Sequence, residues 1–459
     1  MMSYVPRLLV GAAASGGGKT TVTCGLLRAF QRRGLSPRAC KCGPDYIDPM
    51  FHARVLGVPS RNLDLFLSTP GDVCRLLAKG AEEAGITVVE GVMGYYDGIA
   101  LTDSASAWDL ARTTRTPAIL VLDGRGRARS LAAEVAGFAG FRSPSQVAGV
   151  ALNRVSPMMY AQLKGAIEEE TGIPVLGYLP VMADCELKSR HLGLVTAAEV
   201  ADLQQRVDRL ADQMERSFDL DALVALAQAA PDLEVEPRRL APACAEPVRV
   251  AVARDQAFCF YYEDALDTLR ELGADLVGFS PLGDAALPQG VDGLYLGGGY
   301  PELHAAQLAA NEAMRRSVRE AVLAGLPTIA ECGGFMYLHE GLEAADGHTH
   351  PMVGVIPGRA YRTDHLRRCG YVTLEAKGQS LLAAPGEELR AHEFHYWDSD
   401  DPGQAFQAVK PCSGRSWECC HATPTLYAGY PHLNLYSAPS AARRFVEACA
   451  VHRQGRHAC

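Results

Sequence analysis

The strongest constraint on the fold is an alternation of short apolar runs with helical patterns, which occurs twice along the chain. The first series includes the runs RLLVGA (7–12), ITVVEGV (86–92) and PAILVLD (117–123), with helical stretches between them. Continuous apolar runs of this length are typical of strands buried on both faces, and intervening helices favour parallel pairing. The first half is therefore predicted to be an α/β domain with a doubly wound, mainly parallel sheet.

A segment rich in proline and charge, APDLEVEPRRLAPACAEP, interrupts this alternation, which restarts at VRVAVAR (248–254). Such a composition without a sustained period indicates a linker. A chain of 459 residues is long enough for two domains. We predict a first α/β domain over 1–230, a linker over 231–247 and a second α/β domain over 248–459.

Composition narrows the classes of partner. The net charge of -9 weighs against nucleic-acid binding, which favours a basic surface. The first residues lack the apolar core of a secretory signal, and no apolar run is long enough to cross a bilayer. The 14 cysteines show no zinc-binding spacing and are expected to be reduced thiols. These features predict a cytoplasmic protein without nucleic-acid or membrane partners, either a monomer or a homodimer.

The stretch GAAASGGGKT (11–20) follows a predicted strand and opens a predicted helix. A standard P-loop would place its first glycine at position 13, where this chain has Ala13. The context is nevertheless that of a phosphate site, because glycines allow close backbone approach and the helix start offers N–H groups. The candidate ATP-binding residues are Ser15, Gly16, Gly17, Gly18, Lys19, Thr20, Thr21 and Lys41.

The details of the loop distinguish between P-loop classes. Partition ATPases carry a lysine four residues before the last glycine, and this chain has Ala14 there. The loop is closer to that of dethiobiotin-synthetase-like enzymes, in which the first glycine lies further upstream. Those enzymes use ATP to activate a carboxylate. The corresponding region here is occupied by Gly11 or Ala12.

Carboxylates follow two other predicted strands. KCGPDYIDP (41–49) contains Asp45 and Asp48, and VVEGVMGYYDG (88–98) contains Glu90. Ligands of open α/β sheets bind beyond the carboxyl ends of the strands. Thr20, Glu90 and Asp48 are therefore candidate Mg²⁺ ligands.

A second chemical signal is LPTIAECGGFMYL (326–338), in which an apolar strand ends at Cys332 and two glycines open a helical pattern. This arrangement predicts a nucleophile elbow, with the helix N-terminus lowering the pKa of the thiol. The candidate oxyanion-hole residues are Gly298, Gly299 and Gly333.

A thiol nucleophile requires a base, and His432 in YAGYPHLNLYS (427–437) is the candidate. Class I glutamine amidotransferases have a glutamate two residues after this histidine, whereas this chain has Asn434. We therefore predict a Cys–His pair without the usual carboxylate. The segment AHEFHYWD (391–398) is interpreted as structural, with Glu393 and His395 on one face of a strand and His392 on the other.

Taken together, these motifs resemble the cobyrinic acid a,c-diamide synthases, which fuse a dethiobiotin-synthetase-like ATPase domain to a class I glutamine amidotransferase domain. The resemblance covers nearly the whole chain. The matching segments are SGGGKTTV, KCGPDYIDP, NLD (62–64), EGVMGYYDG, SRHLGLV (189–195), LYLGGGYPE, AECGGFMYL and HEFHY.

The resemblance implies a glutamine-hydrolysing ligase that uses ATP and Mg²⁺. Cys332 would release ammonia from glutamine, and ammonia would displace phosphate from an acyl phosphate formed on a corrinoid carboxylate, so that the a and c acetates become acetamides. The residues implied at the corrinoid are Asp45, Tyr46, Asp97 and Arg129. Arg125 and Arg127 would bind carboxylates or form a solvated surface.

Two alternatives stay open. The same domain pair amidates Ni-sirohydrochlorin or hydrogenobyrinic acid in related enzymes, and the sequence does not separate these substrates. A more distant alternative is a non-catalytic nucleotide switch, against which both Ala14 and the Cys332–His432 pair count.

Overall fold

The structure is a computed structural model that describes residues 1–185, 187 and 197–458. The motif SRHLGLV (189–195) lies outside the described residues. The chain divides into two compact units, Met1–Arg238 and Arg239–Cys459.

The first unit is built on a seven-stranded sheet in which all neighbouring strands are parallel. The strands of the whole unit are β1 (Met2–Ser3), β2 (Arg7–Ala12), β3 (Pro37–Cys42), β4 (Ser60–Leu63), β5 (Ile86–Glu90), β6 (Ala118–Asp123), β7 (Val147–Asn153), β8 (Val175–Leu179) and β9 (Leu233–Glu234). The order in the main sheet is β4-β3-β5-β2-β6-β7-β8, while β1 and β9 form a separate antiparallel pair.

Helices connect these strands. They are α1 (Lys19–Arg32), α2 (Ile47–Leu56), α3 (Pro70–Ala78), α4 (Ala107–Thr113), α5 (Ser130–Phe141), α6 (Pro157–Thr171), α7 (Ala197–Ser217) and α8 (Leu220–Gln228). Every residue of β2, β3 and β5 is buried, as expected for central strands covered on both faces. Because β3, β5 and β2 are adjacent and parallel, the segments that follow them converge at one edge of the sheet.

The second unit contains a six-stranded sheet of order β12-β10-β13-β15-β25-β24 and three smaller sheets. The strands are β10 (Val248–Ala253), β11 (Phe258–Phe260), β12 (Ala274–Phe279), β13 (Gly293–Leu296), β14 (Gly298–Gly299), β15 (Thr328–Glu331), β16 (His339–Glu343), β17 (Thr349–Pro351), β18 (Ile356–Arg362), β19 (Arg368–Ala376), β20 (Glu388–His395), β21 (Trp397–Ser399), β22 (Phe406–Val409), β23 (Ser416–Cys419), β24 (His421–Ala422), β25 (Leu426–Gly429) and β26 (His432–Leu433). Its helices are α9 (Glu263–Glu271), α10 (Ala305–Ala310), α11 (Glu312–Leu323), α12 (Gly333–Leu338) and α13 (Pro439–Ala458).

The fold class predicted from the alternation of apolar runs is confirmed, with a parallel sheet in the first unit and a mainly parallel sheet in the second, where only β24 pairs antiparallel. The proline-rich segment predicted as a linker, 231–247, spans the division between the units and begins with β9, which pairs with β1. Among the described residues, no helix is both long and apolar enough to cross a bilayer.

Candidate active sites

The glycine-rich loop connects the end of β2 to the start of α1, as its sequence predicts. Gly16 and Gly18 have φ values of 75° and 104°, which glycine adopts without strain. A Cβ at Gly18 would lie 2.1 Å from Asn153 Nδ2, and the same amide donates a hydrogen bond of 3.1 Å to the carbonyl oxygen of Gly17. Asn153 at the end of β7 therefore fixes the loop, a role that the sequence analysis did not assign.

The alanine that breaks the P-loop pattern is compatible with this geometry. Positive φ values occur at Gly16 and Gly18, whereas Ala13 is not among the residues with positive φ. The loop after β5 packs against this stretch, because Tyr95 N donates to Ala12 O at 2.8 Å. A glycine at position 13 is therefore not needed for this backbone conformation.

Lys19 is buried at the start of α1. Its ammonium donates to the carbonyl oxygen of Ala14 at 3.2 Å and also to that of Met93. Burial and the nearby Lys41 lower the pKa of Lys19. Two ammonium groups beside a glycine-rich loop at a helix start form a suitable environment for an anionic phosphate.

The predicted acidic residues meet around the second of these ammonium groups. Lys41 Nζ lies 2.5 Å from Asp48 Oδ2 and 3.1 Å from Glu90 Oε1. Thr20 Oγ1 donates to the same Glu90 oxygen at 2.6 Å. The structure thus brings together Thr20, Glu90 and Asp48, although it places Lys41 between the two carboxylates.

A buried histidine completes this cluster. His52 on α2 is fully buried, and its Nε2 lies 3.3 Å from Glu90 Oε2. Its Nδ1 lies 3.2 Å from Ser60 Oγ. His52 therefore contacts the carboxylate oxygen of Glu90 that Thr20 does not contact. The sequence of α2, IDPMFHARVL, did not indicate this contact, because α2 and β5 come together only in the folded unit.

Charge pairing determines the ionisation of this cluster. Burial lowers the pKa of Lys41, but the carboxylates of Glu90, Asp48 and Asp45 outweigh burial and raise it overall. Burial opposes the charge on Glu90, yet Lys41 and His52 bring its pKa below the usual range. Burial and the neighbouring Glu90 raise the pKa of Asp48 to about 8. Lys41 and Glu90 therefore form the charged pair, because their opposite charges stabilise each other.

Three of the four residues expected at the substrate lie close to this cluster. Asp45 Oδ2 is 4.0 Å from Lys41 Nζ, and Tyr46 precedes α2 directly. Asp97 Oδ2 accepts from Gly94 N at 2.9 Å, in the loop after β5. Arg129 differs, because its side chain is 79% exposed and pairs with Glu170 on α6.

The predicted elbow is present in the second unit. Cys332 connects β15 to α12 with φ 48° and ψ −102°, a strained combination for a side chain with a Cβ. Its N–H donates to Gly429 O on β25 at 2.8 Å. A Cβ at Gly334 would lie 2.2 Å from Leu296 O, so the turn requires glycine there.

The predicted oxyanion-hole glycines lie around the elbow, but they have different surroundings. A Cβ at Gly333 would lie 3.0 Å from Gly299 N, so these two backbone segments are adjacent. A Cβ at Gly298 would lie 2.4 Å from His432 Cε1 and 3.3 Å from His432 Nε2. Gly298 therefore accommodates the imidazole, whereas Gly299 and Gly333 are the better candidates for N–H donors.

His432 on β26 has a carboxylate neighbour that the sequence analysis did not consider. Glu331, the last residue of β15, places Oε2 3.9 Å from His432 Nδ1. The expected position, Asn434, is instead used in a turn, where its Oδ1 accepts from Tyr436 N at 3.1 Å. The available signal was a charged residue at the end of an otherwise apolar buried strand.

The segment AHEFHYWD adjoins this site. Glu393 and His395 are both buried, in agreement with the shared face that was predicted, and His395 stacks on Tyr430 with ring centroids 3.8 Å apart. His392 pairs in register with His432 between β20 and β26. The segment therefore supports the strand that carries His432.

The prediction that the helix N-terminus lowers the pKa of the Cys332 thiol is wrong, because the pKa is raised overall. Burial, followed by the nearby carboxylate of Glu302, raises the pKa of Cys332, and the N–H of Gly333 offsets this only in part. Burial and then His392 lower the pKa of His432 to about 3. Burial therefore favours the neutral form of both the thiol and the imidazole in the free protein.

Comparison with known proteins finds a family match in each unit. Residues 8–195 match the family described as the CobQ/CobB/MinD/ParA nucleotide binding domain. Residues 249–439 match the CobB/CobQ-like glutamine amidotransferase domain. The fold and these sites define the class as glutamine-hydrolysing amide ligases in which a nucleotide-binding domain precedes an amidotransferase domain.

Proteins that are similar to this chain over nearly its full length identify the family within this class. Proteins named cobyrinate a,c-diamide synthase from Listeria innocua and Salmonella typhimurium are each 41% identical, over 95% and 96% of this chain and 97% of each relative. The protein of that name from Caldanaerobacter subterraneus is 38% identical over 96% of this chain and 98% of its own. The chain belongs to the cobyrinate a,c-diamide synthase family.

Proposed function

We propose that this enzyme amidates the a and c acetate carboxylates of cobyrinic acid, using glutamine and ATP, in cobalamin biosynthesis. The observation that carries the proposal is similarity over nearly the whole chain to relatives named for that reaction. The two separate clusters around Lys41 and Cys332 support it, because the reaction needs one site to activate a carboxylate and another to release ammonia.

In the glutaminase half-reaction, Cys332 Sγ attacks the side-chain amide carbon of glutamine while its proton passes to His432. The N–H groups of Gly299 and Gly333 stabilise the oxyanion. Protonated His432 then gives the proton to the departing nitrogen, which leaves as ammonia. Water hydrolyses the resulting thioester to glutamate and restores the thiol.

In the synthetase half-reaction, the terminal phosphoryl group of ATP is transferred to a corrinoid carboxylate, and ammonia displaces phosphate from the acyl phosphate. Lys19 and Lys41 offset the charge of the phosphates. Activation is required because a free carboxylate is a poor acceptor of ammonia. Exclusion of water protects the acyl phosphate from hydrolysis.

The oxygen atoms near Lys41 fit a magnesium site. Thr20 and Glu90, with Asp48 beside them, would hold Mg²⁺ through the oxygen ligands that this ion prefers. Within the described parts of the chain, no three His, Cys, Asp or Glu side chains already form a metal-binding group. Magnesium commonly takes its remaining ligands from phosphates and water, and there it would neutralise charge on the nucleotide.

The corrinoid contacts follow from the same arrangement. Asp45, Tyr46 and Asp97 border the cluster and are proposed to contact the substrate. Arg129 is proposed to contribute only if it leaves Glu170, with which it pairs in this structure.

The test is to incubate the protein with cobyrinic acid, glutamine, ATP and Mg²⁺ and to follow the corrinoid by mass spectrometry. Two successive carboxyl-to-amide mass changes are expected. Cys332→Ala should fail with glutamine and succeed with ammonia, whereas Cys412→Ala, at an exposed cysteine, should behave like the wild type. Glu90→Gln should fail with both nitrogen sources.

The outcomes separate the alternatives. If glutamine is hydrolysed but cobyrinic acid keeps its mass with either nitrogen source, the substrate assignment is wrong, and Ni-sirohydrochlorin and hydrogenobyrinic acid are the next substrates. If glutamine hydrolysis is also absent, the nucleotide-switch alternative is favoured.

A further inference from the structure

We propose that Glu331 is the positioning residue for His432, replacing the carboxylate that class I glutamine amidotransferases carry two residues after the histidine. This inference rests on the proposed glutaminase role of Cys332 and His432. It adds a third residue to that pair and assigns a chemical role to the residue immediately before the nucleophile.

The contacts of Glu331 connect it to both halves of the pair. The carboxylate is 1% exposed, and its Oε1 accepts a hydrogen bond of 3.0 Å from Leu433 N, beside His432. Its Oε2 accepts from Tyr295 OH at 3.1 Å and lies 3.9 Å from His432 Nδ1. Since Glu331 is also covalently adjacent to Cys332, one residue fixes β26 relative to the elbow.

The orientation of the imidazole agrees with this role. The edge of the ring with Cε1 and Nε2 faces Gly298, in the segment beside the elbow, whereas Nδ1 faces Glu331. A negative charge 3.9 Å from Nδ1, beyond hydrogen-bond distance, favours through electrostatics the tautomer with hydrogen on Nδ1 and leaves Nε2 as the proton acceptor. The thiol proton of Cys332 then moves to Nε2, giving a thiolate and an imidazolium, and the charged form of Glu331 stabilises that imidazolium.

Electrostatics explain why a buried carboxylate is useful here. Burial raises the pKa of Glu331 to about 8, and burial with His392 lowers that of His432 to about 3. A single charge on either residue is therefore unfavourable in this environment. An imidazolium next to a carboxylate is favoured over either isolated charge, because each charge offsets the desolvation of the other.

Asn434 does not replace this function. Its side-chain oxygen accepts from Tyr436 N, and its main-chain oxygen accepts from Ser437 N and Ala438 N at 3.0 and 3.1 Å. These contacts make Asn434 a turn residue that leads into α13. An amide also lacks the negative charge that would stabilise an imidazolium.

The decisive comparison is between Glu331→Gln, which keeps the shape but removes the charge, and Glu331→Asp, which keeps the charge but shortens the side chain. Glu331→Gln should lower the kcat of glutamine hydrolysis roughly a hundredfold, with the glutamine KM changed less than about threefold. Glu331→Asp should retain more activity than Glu331→Gln. Both variants should keep ammonia-dependent amidation, which shows that the first unit is intact, and the nearly unchanged KM for glutamine shows that the second unit is folded.

Asp292→Asn is the matched control, because Asp292 is also a carboxylate with only 2% exposure in the same unit, and it accepts a hydrogen bond of 2.8 Å from Arg249 N. Its glutaminase kcat should stay close to that of the wild type. The inference is overturned if Glu331→Gln keeps a normal kcat, if it is more active than Glu331→Asp, or if Asp292→Asn loses as much activity. In each case, loss of glutaminase activity in Cys332→Ala shows that the proposed function itself still holds.

Discussion

At the residue scale, the site depends on how closely the imidazole approaches Gly298. The ring of His432 occupies the space in which any side chain at position 298 would begin. Catalytic geometry tolerates displacements of only a fraction of an ångström, because reacting groups must stay within proton-transfer distance. The size of residue 298 therefore controls the position of His432, the proposed base.

We expect Gly298→Ala to lower the kcat of glutamine hydrolysis by roughly a hundredfold, because the new methyl group displaces His432. Ammonia-dependent amidation should continue. Gly278→Ala on β12 is the control, since a Cβ there meets no atom within 4 Å. Equal glutaminase rates in the two variants, measured by glutamate release, would contradict the assignment.

Asn153 is a second residue whose contact can be tested. Asn153→Ala removes the hydrogen bond to Gly17 O, and a contribution of about 1 kcal/mol predicts a rise of about fivefold in the KM for ATP. Asn311→Ala removes a comparable amide in the second unit, where it caps α11, and should leave the KM for ATP unchanged. A normal value for Asn153→Ala, measured with ammonia as the nitrogen source, would show that the loop does not need this contact.

At the element scale, the elbow between β15 and α12 combines strain with function. Cys332 has a backbone conformation that favours glycine, yet the reaction requires a side chain with a nucleophile. The strained turn is held by the hydrogen bond from Cys332 N to Gly429 O and by the close packing of Gly334 on Leu296.

This conflict predicts that a residue without a Cβ at position 332 stabilises the fold. Cys332→Gly should unfold at a higher temperature than Cys332→Ala and be more stable by about 1 kcal/mol, because relief of strain exceeds the loss of one methyl group. Neither variant should hydrolyse glutamine. Calorimetry or circular dichroism on the full chain measures the difference, and a less stable glycine variant would mean that the turn is not strained.

Elements also show how far sequence reasoning can reach. The strands β2, β5, β6 and β15 were predictable because each is a continuous apolar run followed by turn residues, and the elbow and P-loop are encoded within short segments. The contacts of Glu331 with His432 and of His52 with Glu90 could not be predicted from the sequence, because they depend on the order of strands in a sheet. The net pKa of Cys332 also escaped prediction, since burial and carboxylates from other elements outweigh the local helix.

At the scale of the whole molecule, each unit has a hydrophobic core of its own. The first is formed by residues between Leu8 and Ala227, and the second by residues between Ala251 and Tyr430. Ligands that bind only the folded state stabilise it in proportion to the logarithm of their concentration. ATP and glutamine should therefore stabilise different units, ATP the first and glutamine the second.

We expect a non-hydrolysable ATP analogue with Mg²⁺, at a hundred times its Kd, to stabilise the first unit by about 2.7 kcal/mol. Lys19→Ala should remove this shift, whereas Lys164→Ala on α6 should not. Hydrogen exchange, followed separately in peptides from 1–230 and 248–459, measures the effect. Protection confined to peptides from 248–459 would mean that the nucleotide binds the second unit, which would contradict the prediction.

The hydrogen bond from Cys332 N to Gly429 O has a consequence for biosynthesis of the protein. Strand β25 is translated long after the elbow, and until it pairs with β15 the nucleophile lies on an open sheet edge. His432 comes shortly after β25, so the proposed base and the backbone anchor of the thiol leave the ribosome nearly together. We therefore expect a nascent chain released before this point to carry the thiol without its proposed base and to lack glutaminase activity.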